Sequence, residues 1–577
     1  MEMENQLPKP LMLVMSLIQG ILLAFIYRSA EEQFWPGNDP VWLMALATFT
    51  IAFPLLTLLT ITRQNLKASI TYILPFTIVI SLLAAYVGFQ QTPVEYINNS
   101  YVVFVFSWTI LIASFKALMY IQQLNSGEKI TYSSLFKYSW RNAIIFAESL
   151  LFTLIFWGIL HLGAGLFSVL EINIFKEVLE KDWFVIPTLT FAFGFAIVVF
   201  RNITHTVDTI AKILQTLIKF LLPVITIVSI GFLATLPFTG LEKLWGTGSG
   251  SLLVLWLQAL TLFFVNAVYQ EAAHERPYNL IVHRVIFIGV ALLPIYTLIA
   301  SYGLWLRVDQ YGLTVSRLWG ILTCALLGTF AIGYLIGIIK RKDAWLETLS
   351  TVNIRMGLAV LLVMLLINSP VLNFQAISAS SQIAMLKEKT IKVDDFDFYY
   401  FGQNLGRQGY LQMQQVKEEI GNEHPDKVAV IDRMYTRSSF NKRKYGNKEQ
   451  DTLADFEKLI TYWPNKESFP EDLTVAVFNS ATEQVWSTIK DKNYYFISID
   501  MNEDHTPDIV VISEHNYSTT ARLWLLEDEK WQSKYMKISN PSKNKFLKSL
   551  IEQSEIQVTK PQWQTLNIGD MKLKVQL

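Results

Sequence analysis

The sequence predicts a mainly helical, polytopic membrane protein: a bundle of about eleven spanning helices in residues 1–370, then a soluble α+β domain in residues 371–577. Up to Pro370 the chain is a series of apolar runs of about twenty residues, which cross about 30 Å of hydrocarbon at about 1.5 Å per residue. Beyond Pro370 no such run occurs. The mean hydropathy of +0.33, with 17% charged residues, averages over these two different parts.

The apolar runs predict the individual spans, whose ends are marked by polar residues. The predicted spans are residues 11–27, 41–62, 70–89, 101–121, 142–162, 183–200, 214–236, 251–270, 284–306, 315–339 and 352–368. Residues 201–220 are amphipathic, because Thr204, His205, Asp208 and Lys212 interrupt the apolar residues there. We predict an interfacial helix at this point, leading into the next span.

Lysine and arginine predict the orientation, because cytoplasmic loops retain basic residues. One set of alternate loops holds Arg63, Lys67, Lys129, Lys137, Arg141, Arg201, Lys212, Arg276, Lys340, Arg341 and Lys342. The other set holds Arg28, Lys176, Lys181, Lys243 and Arg307. An odd number of spans places the two termini on opposite sides, so the N-terminus is predicted to be cytoplasmic and the soluble domain extracytoplasmic.

The overall charge and the cysteine content narrow the classes of partner and of stabilising bond. The formal net charge at pH 7 is zero, so the chain lacks the excess of basic residues that is typical of nucleic-acid-binding proteins. The predicted partner is the lipid bilayer. The single cysteine, Cys324, lies in an apolar run, so the predicted soluble domain holds no disulfide.

Two ionisable residues inside predicted spans require a partner, a watery cavity or a route to the interface. Lys116 lies about five residues from the end of the fourth span and Glu148 about seven residues into the fifth, so a helical hairpin brings them to similar depth. One interpretation is an ion pair. The other is that Lys116 extends to the headgroups while Glu148 is protonated or hydrogen-bonded.

The eighth predicted span carries a polar row at i+4 spacing, formed by Gln258, Asn266, Gln270 and His274 with Leu262 between them. One interpretation is packing against neighbouring helices through side-chain amides. The other is a hydrophilic groove that is entered near Glu271, His274 and Glu275. In the fifth span, His161 is predicted to be a hydrogen-bonded interior histidine rather than a proton relay.

The sequence contains no recognisable catalytic motif. No catalytic residue is therefore predicted, and an enzymatic function is disfavoured. His274-Glu275 lacks the second histidine of a zinc helix, since the next histidine is His283. No glycine-rich phosphate loop with a lysine, nucleophile elbow or cysteine cluster occurs.

The C-terminal part mixes helical and alternating patterns, which predicts an α+β domain. Helical spacing covers residues 411–420. The predicted strands are residues 474–478, 494–499, 508–512 and 521–526.

An acidic loop between two of these strands, residues 500–508, is a candidate calcium site. Oxygen ligands at alternate loop positions, with a backbone carbonyl at the seventh, suit calcium. The candidate ligands are Asp500, Asn502, Asp504, Thr506 and Asp508. His505 takes the position where glycine is usual, so the alternative is an acidic hairpin without an ion.

Several short motifs surround and follow the last spans. Residues 307–317 read Arg-Val-Asp-Gln-Tyr-Gly-Leu-Thr-Val-Ser-Arg. Further on stand Asn368-Ser369-Pro370-Val371, residues 378–382, an Asp-Phe-Asp-Phe-Tyr-Tyr-Phe stretch from Asp395, and Gly406-Arg407-Gln408-Gly409-Tyr410. Together these motifs resemble the bacterial membrane family catalogued as domain of unknown function 4153, over most of the chain from the first span to about Tyr410. The resemblance implies a multi-span inner-membrane protein, whose soluble domain is then periplasmic, and it carries over no reaction, substrate or cofactor.

The most specific of these motifs is centred on Tyr311, where each residue type has a structural use. Gly312 permits a tight turn and Thr314 can cap the following helix. Arg307 and Arg317 suit a lipid phosphate or a partner carboxylate. A structural turn with interfacial arginines is one interpretation, and a substrate-anion site is the other.

The leading functional hypothesis is a non-enzymatic envelope protein that transports, gates or helps to assemble something, with the soluble domain as a recognition element. Its rival is a membrane enzyme for a lipid-linked substrate, in which Glu31, Asp39 and Asp309 act beside Arg307 and Arg317. The third hypothesis is a sensor or scaffold whose spans only anchor it.

Overall fold

The computed structural model describes residues 7–94, 96–97, 100–246, 249–269, 277–341, 345–388, 390–420, 423–435, 453–483, 492–501, 507–515, 518–527, 530–536, 556, 566–568 and 571–573. The chain divides into two compact units, Met1–Thr436 and Arg437–Leu577. The domain boundary predicted from the sequence lies after Pro370, whereas the division between the two compact units falls after Thr436. The predicted grouping of residues 371–577 as one domain stays a prediction.

The first unit contains eleven helices, within the described residues, that are long and apolar enough to cross a membrane. They are α1 (Lys9–Glu31), α2 (Pro40–Thr60), α3 (Leu66–Phe89), α4 (Ser100–Asn125), α5 (Tyr132–Val169), α7 (Asp182–Asn202), α8 (Thr204–Thr239), α10 (Gly250–Val268), α11 (Leu280–Tyr311), α12 (Val315–Arg341) and α13 (Trp345–Leu366). Two short helices, α6 (Ile174–Leu179) and α9 (Glu242–Gly246), lie between spans. The predicted multi-pass helical bundle is therefore confirmed.

Several helices are longer than a membrane crossing requires. α5 has 38 residues and α8 has 36, where about twenty suffice. The amphipathic segment predicted as an interfacial helix is continuous with the span that follows it, as the first turns of α8. A continuous helix satisfies its own backbone hydrogen bonds where water is excluded, which favours extension over a break.

Successive spans alternate in direction, which gives the bundle two faces. The N face holds the start of α1 and the connections α2–α3, α4–α5, α7–α8, α10–α11 and α12–α13. The opposite face holds the end of α13, the last span, and we call it the collar face after the helices that follow that span. Strongly exposed tryptophans lie toward collar-face ends of the spans, namely Trp35, Trp42, Trp183 and Trp305. Exposed tryptophan at this level is typical of a membrane–water interface.

Two apolar clusters hold the bundle together. One joins α1, α2, α3, α4, α5, α7 and α8 through residues such as Leu58, Ile73 and Ile197. The other joins α8, α10, α11, α12 and α13 and contains the fully buried Tyr296 and Tyr334. Burial of aromatic and aliphatic surface between helices stabilises their contacts by close packing, since lipid itself is apolar.

Four helices after the last span, here called the collar, belong to the same compact unit as the bundle. They are α14 (Phe374–Lys387), α15 (Phe398–Asn404), α16 (Gly406–Ile420) and α17 (Pro425–Tyr435). Their apolar core includes Phe401 and Met413 and is continuous with Leu318 of α12 and Met364 of α13. The helical spacing seen in residues 411–420 is realised as α16.

Within its described residues, the second unit combines two α-helices with a small sheet, and the predicted α+β class is confirmed. The helices are α18 (Leu453–Glu457) and α19 (Glu471–Glu483). The strands are β1 (Ile460–Trp463), β2 (Lys492–Ile499), β3 (Asp508–His515), β4 (Ser518–Glu527) and β5 (Lys530–Met536), with a separate pair β6 (Leu566–Ile568) and β7 (Met571–Leu573). The sheet order is β1-β2-β3-β4-β5, parallel between β1 and β2 and antiparallel elsewhere.

One predicted strand is wrong. Residues 474–478, Thr-Val-Ala-Val-Phe, were predicted to be extended because β-branched residues favour strands. They lie in the middle of α19, where Leu473, Val477 and Ala481 are buried at a spacing of four. The period of the buried residues over a longer window is helical, and that period overrides the local propensity of a short run.

Candidate functional site

A cavity of 220 Å³ lies inside the bundle, toward its N face. Its walls come from α4, the beginning of α5, the end of α10, α12 and α13. The polar side chains that line it include Lys116, Tyr120, Tyr132, Ser139, Asn266 and Asn353. We call it the lysine cavity, since Lys116 is its one lysine among the described lining residues.

Lys116 projects from a helix that is otherwise almost entirely apolar. Its side chain is partly buried, and among the described residues its ammonium makes no hydrogen bond and no ion pair. A charged lysine within the hydrocarbon layer costs several kcal/mol, roughly, unless a cavity or a partner stabilises it. The lysine cavity supplies space for water or for an anionic ligand.

A hydrogen-bonded group of two amides and two phenols forms one side of this cavity. The Tyr334 hydroxyl lies 2.6 Å from Asn266 Oδ1 and also bonds Asn353 Oδ1, donating its single proton to one of them at a time. Asn353 Nδ2 donates to Asn266 Oδ1 at 2.9 Å, and the Tyr132 hydroxyl donates to the Asn266 carbonyl at 2.9 Å. Within the described chain, the Asn266 amide nitrogen is left without an acceptor.

The remaining walls are apolar and largely aromatic. They include Phe136 and Trp140 of α5, Phe263 of α10 and Phe330 of α12. α13 approaches α4 closely at Gly357, where an added Cβ would collide with the Tyr120 hydroxyl. That hydroxyl donates to the Ile354 carbonyl at 2.7 Å and so fixes α4 against α13. A single cationic group therefore faces aromatic surface in a rigid enclosure.

The interpretation that Lys116 and Glu148 form an ion pair is wrong. Lys116 lies level with the first turns of α5, from Tyr132 to Trp140, and Glu148 lies about two turns, or about 12 Å, further along the axis. The predicted spans 101–121 and 142–162 put Lys116 and Glu148 at similar distances from the connecting loop. In the structure α4 continues to Asn125 and α5 begins at Tyr132, so the two residues lie at different depths. Glu148 Oε2 is buried and has no hydrogen-bond partner among the described residues.

The polar row of the eighth span divides into different environments. Gln258 is fully buried and bonds Thr297 Oγ1 of α11 at 2.8 Å and the Leu327 carbonyl of α12 at 3.3 Å, as expected of a packing amide. Asn266 lines the lysine cavity. Gln270 and His274 lie outside the described residues, as do Glu271 and Glu275.

His161 lies on the surface of the bundle and is not interior. Its ring is exposed and meets the Trp157 ring edge-on, with centroids 4.4 Å apart. Because α5 starts at Tyr132, His161 lies near the collar-face end of a very long helix, about 44 Å along its axis. The prediction that His161 is an interior, hydrogen-bonded histidine is therefore wrong.

The Tyr-Gly-Leu-Thr motif forms the turn between α11 and α12. Gly312 has φ +67, a region that favours glycine, and Thr314 Oγ1 lies 3.4 Å from the Arg317 backbone nitrogen. Arg317 Nη1 donates to the Tyr311 carbonyl at 3.0 Å and to the Gly312 carbonyl at 2.6 Å. These contacts suit a structural turn; Arg307 lies at the same end of α11.

Three of the short motifs meet at this turn, in what we call the collar junction. The Val315 N–H donates to the Tyr400 hydroxyl at 2.8 Å, which lies 2.9 Å from Ser378 Oγ. Ser378 Oγ donates to the Leu313 carbonyl at 3.1 Å, and Gln382 Nε2 donates to the Tyr311 carbonyl at 2.8 Å. Side chains of α14 and α15 thus satisfy backbone groups that a helix start leaves unpaired.

The Gly-Arg-Gln-Gly-Tyr motif joins the collar to the end of α3. Arg407 donates to the Thr92 carbonyl at 2.6 Å, and its guanidinium lies 4.3 Å from the centre of the Phe89 ring. Tyr410 stacks on Tyr96 with ring centroids 5.5 Å apart. The motifs that resemble a family therefore hold the collar on the bundle.

The enzyme hypothesis assigns acid–base roles to Glu31, Asp39 and Asp309, and the structure places these carboxylates in separate surroundings. Asp39 Oδ1 accepts the Val41 N–H at 2.9 Å and caps α2, and Glu31 accepts the Tyr27 hydroxyl at 3.1 Å. Asp309 is exposed near the end of α11. These carboxylates do not converge on a shared cavity with Arg317 among the described residues.

The candidate calcium loop lies only partly within the described residues. Asn502, Asp504 and Thr506 are outside them. Asp500 follows β2, and Asp508 begins β3 and accepts the Met501 N–H through Oδ2 at 2.9 Å.

Sequence reasoning missed Tyr132 and Asn353, which line the lysine cavity, and Tyr334, which lies behind its wall and bonds Asn266 and Asn353. Asn353 carries a usable signal, because it is the one amide at the start of the predicted span 352–368. Tyr132 and Tyr334 carry none, because tyrosine is common near membrane interfaces and only the packing shows what its hydroxyl contacts.

A family model described as a domain of unknown function, DUF4153, matches residues 41–416. The match runs from α2 to α16 and so includes ten of the eleven spans, the lysine cavity and most of the collar. The second unit lies beyond it. No curated protein sequence and no solved structure matches the chain.

Proposed function

The chain belongs to the DUF4153 family, a domain of unknown function, and from that premise we propose that its bundle binds a small organic anion and moves it across a bacterial inner membrane. The supporting observation is the Lys116 ammonium, held within an intramembrane cavity with no carboxylate in contact among the described residues. An unpaired cation at this depth is stabilised most by a ligand of opposite charge.

The walls of the lysine cavity specify the kind of anion. It contains one lysine, so a ligand with a single negative charge is favoured over a multiply charged one. Phe136, Trp140 and Phe263 offer aromatic surface to an apolar body, while the free N–H of Asn266 offers a second donor to an anionic oxygen. The substrate class is therefore a monoanionic organic acid with an apolar part.

We propose that the N face is cytoplasmic and that the collar face is periplasmic. The support is the distribution of lysine and arginine among the loops. On this orientation the lysine cavity lies in the cytoplasmic half of the bundle, and the second unit, beyond the family match, acts as a periplasmic recognition element.

The chemistry can be tested with a matched pair of probes, benzenesulfonate and benzenesulfonamide, which differ chiefly in charge. The purified full chain should bind benzenesulfonate in a calorimetric titration and bind the neutral sulfonamide much more weakly. Lys116→Gln should weaken benzenesulfonate binding by about tenfold or more, because a charge-assisted hydrogen bond is lost. Lys67→Gln, an exposed lysine on the same face, should leave the affinity unchanged.

Movement across the membrane is tested separately with reconstituted vesicles. Uptake of labelled benzenesulfonate should depend on the protein and should fall in Lys116→Gln but not in Lys67→Gln. Equal binding of both probes, or unchanged binding in Lys116→Gln, would contradict the proposed site. Binding without uptake would contradict transport and favour the sensor hypothesis.

A further inference from the structure

A second polar cavity, of 290 Å³, lies at the N face between the ends of α2, α4 and α7 and the first part of α5. It shares no lining residue with the lysine cavity. Two arginines line it, Arg141 of α5 and Arg201 of α7. We call it the arginine cavity.

Arg201 has a structural role that accounts for its burial. Its side chain donates to the Ile61 carbonyl at 3.0 Å and to the Leu58 carbonyl, both at the end of α2. A cation at the C-terminus of a helix binds the carbonyls that lack intrahelical partners and opposes the negative end of the helix dipole. The carbonyls stabilise the charge of Arg201 but do not neutralise it.

Arg141 has no such role. Among the described residues its guanidinium makes no hydrogen bond and no ion pair, and its charge repels that of Arg201. The acidic group that acts on it is Asp208 of α8, which is exposed and does not reach ion-pair distance. Two neighbouring cations thus border the hydrocarbon layer without a contacting carboxylate in the described chain, an arrangement that an anion would stabilise.

The cavity also contains a buried acceptor. Asn125 Nδ2 donates to Ser69 Oγ at 2.9 Å, but Asn125 Oδ1 is buried with no partner among the described residues. Of the other three amides, Gln122 and Asn142 bond each other at 2.8 and 3.1 Å, and Asn65 Oδ1 accepts the Thr62 N–H at 2.7 Å, so their acceptors are already satisfied. A buried acceptor of this kind favours a ligand with a hydroxyl donor.

We propose that the arginine cavity binds a hydroxyl-bearing phosphate ester, the chemistry shared by a glycerol phosphate headgroup and free glycerol phosphate. The Arg141 fork binds the phosphate oxygens, for which guanidinium geometry is well suited, and the neighbouring charge of Arg201 adds to the attraction. Rotation of the Asn125 amide brings Oδ1 from the wall to the cavity, where it accepts the ester hydroxyl. The position of the cavity at the helix ends places it at the level of lipid headgroups.

The test uses the purified full chain and two probes, short-chain phosphatidylglycerol and free glycerol 3-phosphate, each titrated by calorimetry. Arg141→Gln should weaken binding by about tenfold or more, since it removes a charge-assisted contact and leaves the Arg201 cap intact. The matched control is Lys137→Gln, an exposed basic residue one turn earlier on α5, which should bind as the wild type does.

A second variant keeps the proposal testable if Arg141→Gln does not fold. Asn125→Asp changes few atoms but adds a carboxylate that repels phosphate, and it should weaken binding to a similar degree. Binding of the lipid alone identifies a headgroup site, and binding of both probes identifies a site for free phosphate esters. The proposal is overturned if neither probe binds, if phosphatidylcholine binds as tightly as phosphatidylglycerol, or if the two cavity variants bind as Lys137→Gln does.

Discussion

Two glycines at the collar face show how one backbone conformation can have different neighbours. Gly240 ends α8 with φ 72 and ψ 168, and Gly312 ends α11 with φ 67 and ψ −175. Residues other than glycine rarely adopt this conformation. An added Cβ at Gly240 meets nothing within 4 Å, whereas at Gly312 it would lie 2.5 Å from Met385 Sδ of α14.

We expect Gly312→Ala to destabilise the protein more than Gly240→Ala. Both variants carry backbone strain of about 1–3 kcal/mol, but only Gly312→Ala also displaces the side chains of Met385 and Gln382, which pack on the turn. The measurement is the unfolding free energy of each purified full chain in the same detergent. Equal losses in the two variants would mean that the collar does not pack on this turn.

At the scale of elements, the collar junction explains why three separated motifs belong together. The N–H of Val315, the hydroxyls of Tyr400 and Ser378, and the Leu313 carbonyl form one hydrogen-bonded chain. It pairs backbone groups that the start of α12 would otherwise expose. The start of α12 is therefore stabilised by helices that lie far from it in sequence.

Tyr400→Phe should destabilise the collar junction by about 1–3 kcal/mol, because it leaves the buried Val315 N–H without an acceptor. Tyr399→Phe is the control, since the neighbouring Tyr399 is 44% exposed. Hydrogen exchange at the first turn of α12 should accelerate in Tyr400→Phe alone. Unchanged exchange there would contradict the role given to this hydroxyl.

The hairpin between β2 and β3 is the element on which the calcium prediction depends. The two strands are antiparallel with Ile499 opposite Asp508, and residues 502–506 between them lie outside the described residues. Calcium should raise the unfolding temperature of the second unit in the full chain, by mass action on the folded state. Asp504→Asn should reduce that rise, and Glu467→Gln, exposed in the same unit, should not. An unchanged temperature in the wild type would indicate a hairpin that binds no ion.

At the scale of the whole molecule, the proposed orientation depends on the number of spans. If all eleven candidate helices cross the membrane, the two ends of the bundle lie on opposite sides, because the number is odd. Which side is cytoplasmic then depends on the basic residues in the loops. The lysine and arginine cavities both lie toward the N face, so their access depends on the same assignment.

Single-cysteine labelling can test this orientation, because Cys324 is the one cysteine in the sequence. In a Cys324→Ser background, Glu180→Cys on the collar face should react with an impermeant maleimide added to spheroplasts. Lys129→Cys on the N face should react only after the membrane is opened. The reverse pattern would invert the orientation and place both cavities toward the periplasm.

The sequence alone determined the class of the protein and the number of its spans. About twenty apolar residues are sufficient to make a crossing helix, because hydrocarbon offers no other partner for the backbone. The strands of the second unit followed from alternation, except where a short run in α19 mimicked a strand. Gly312 and the family resemblance were also predicted from local residue types, and both are confirmed.

Only the tertiary structure decided which polar groups meet. Lys116 shares a cavity with Asn266 and Asn353 and not with Glu148, because helix length and rotation set the depth and direction of each side chain. Arg141 and Arg201 line one cavity although neither span shows this in its own pattern. A spanning helix forms from interactions within about twenty residues, whereas a site requires several helices in one register, and that register is set by packing across the whole bundle.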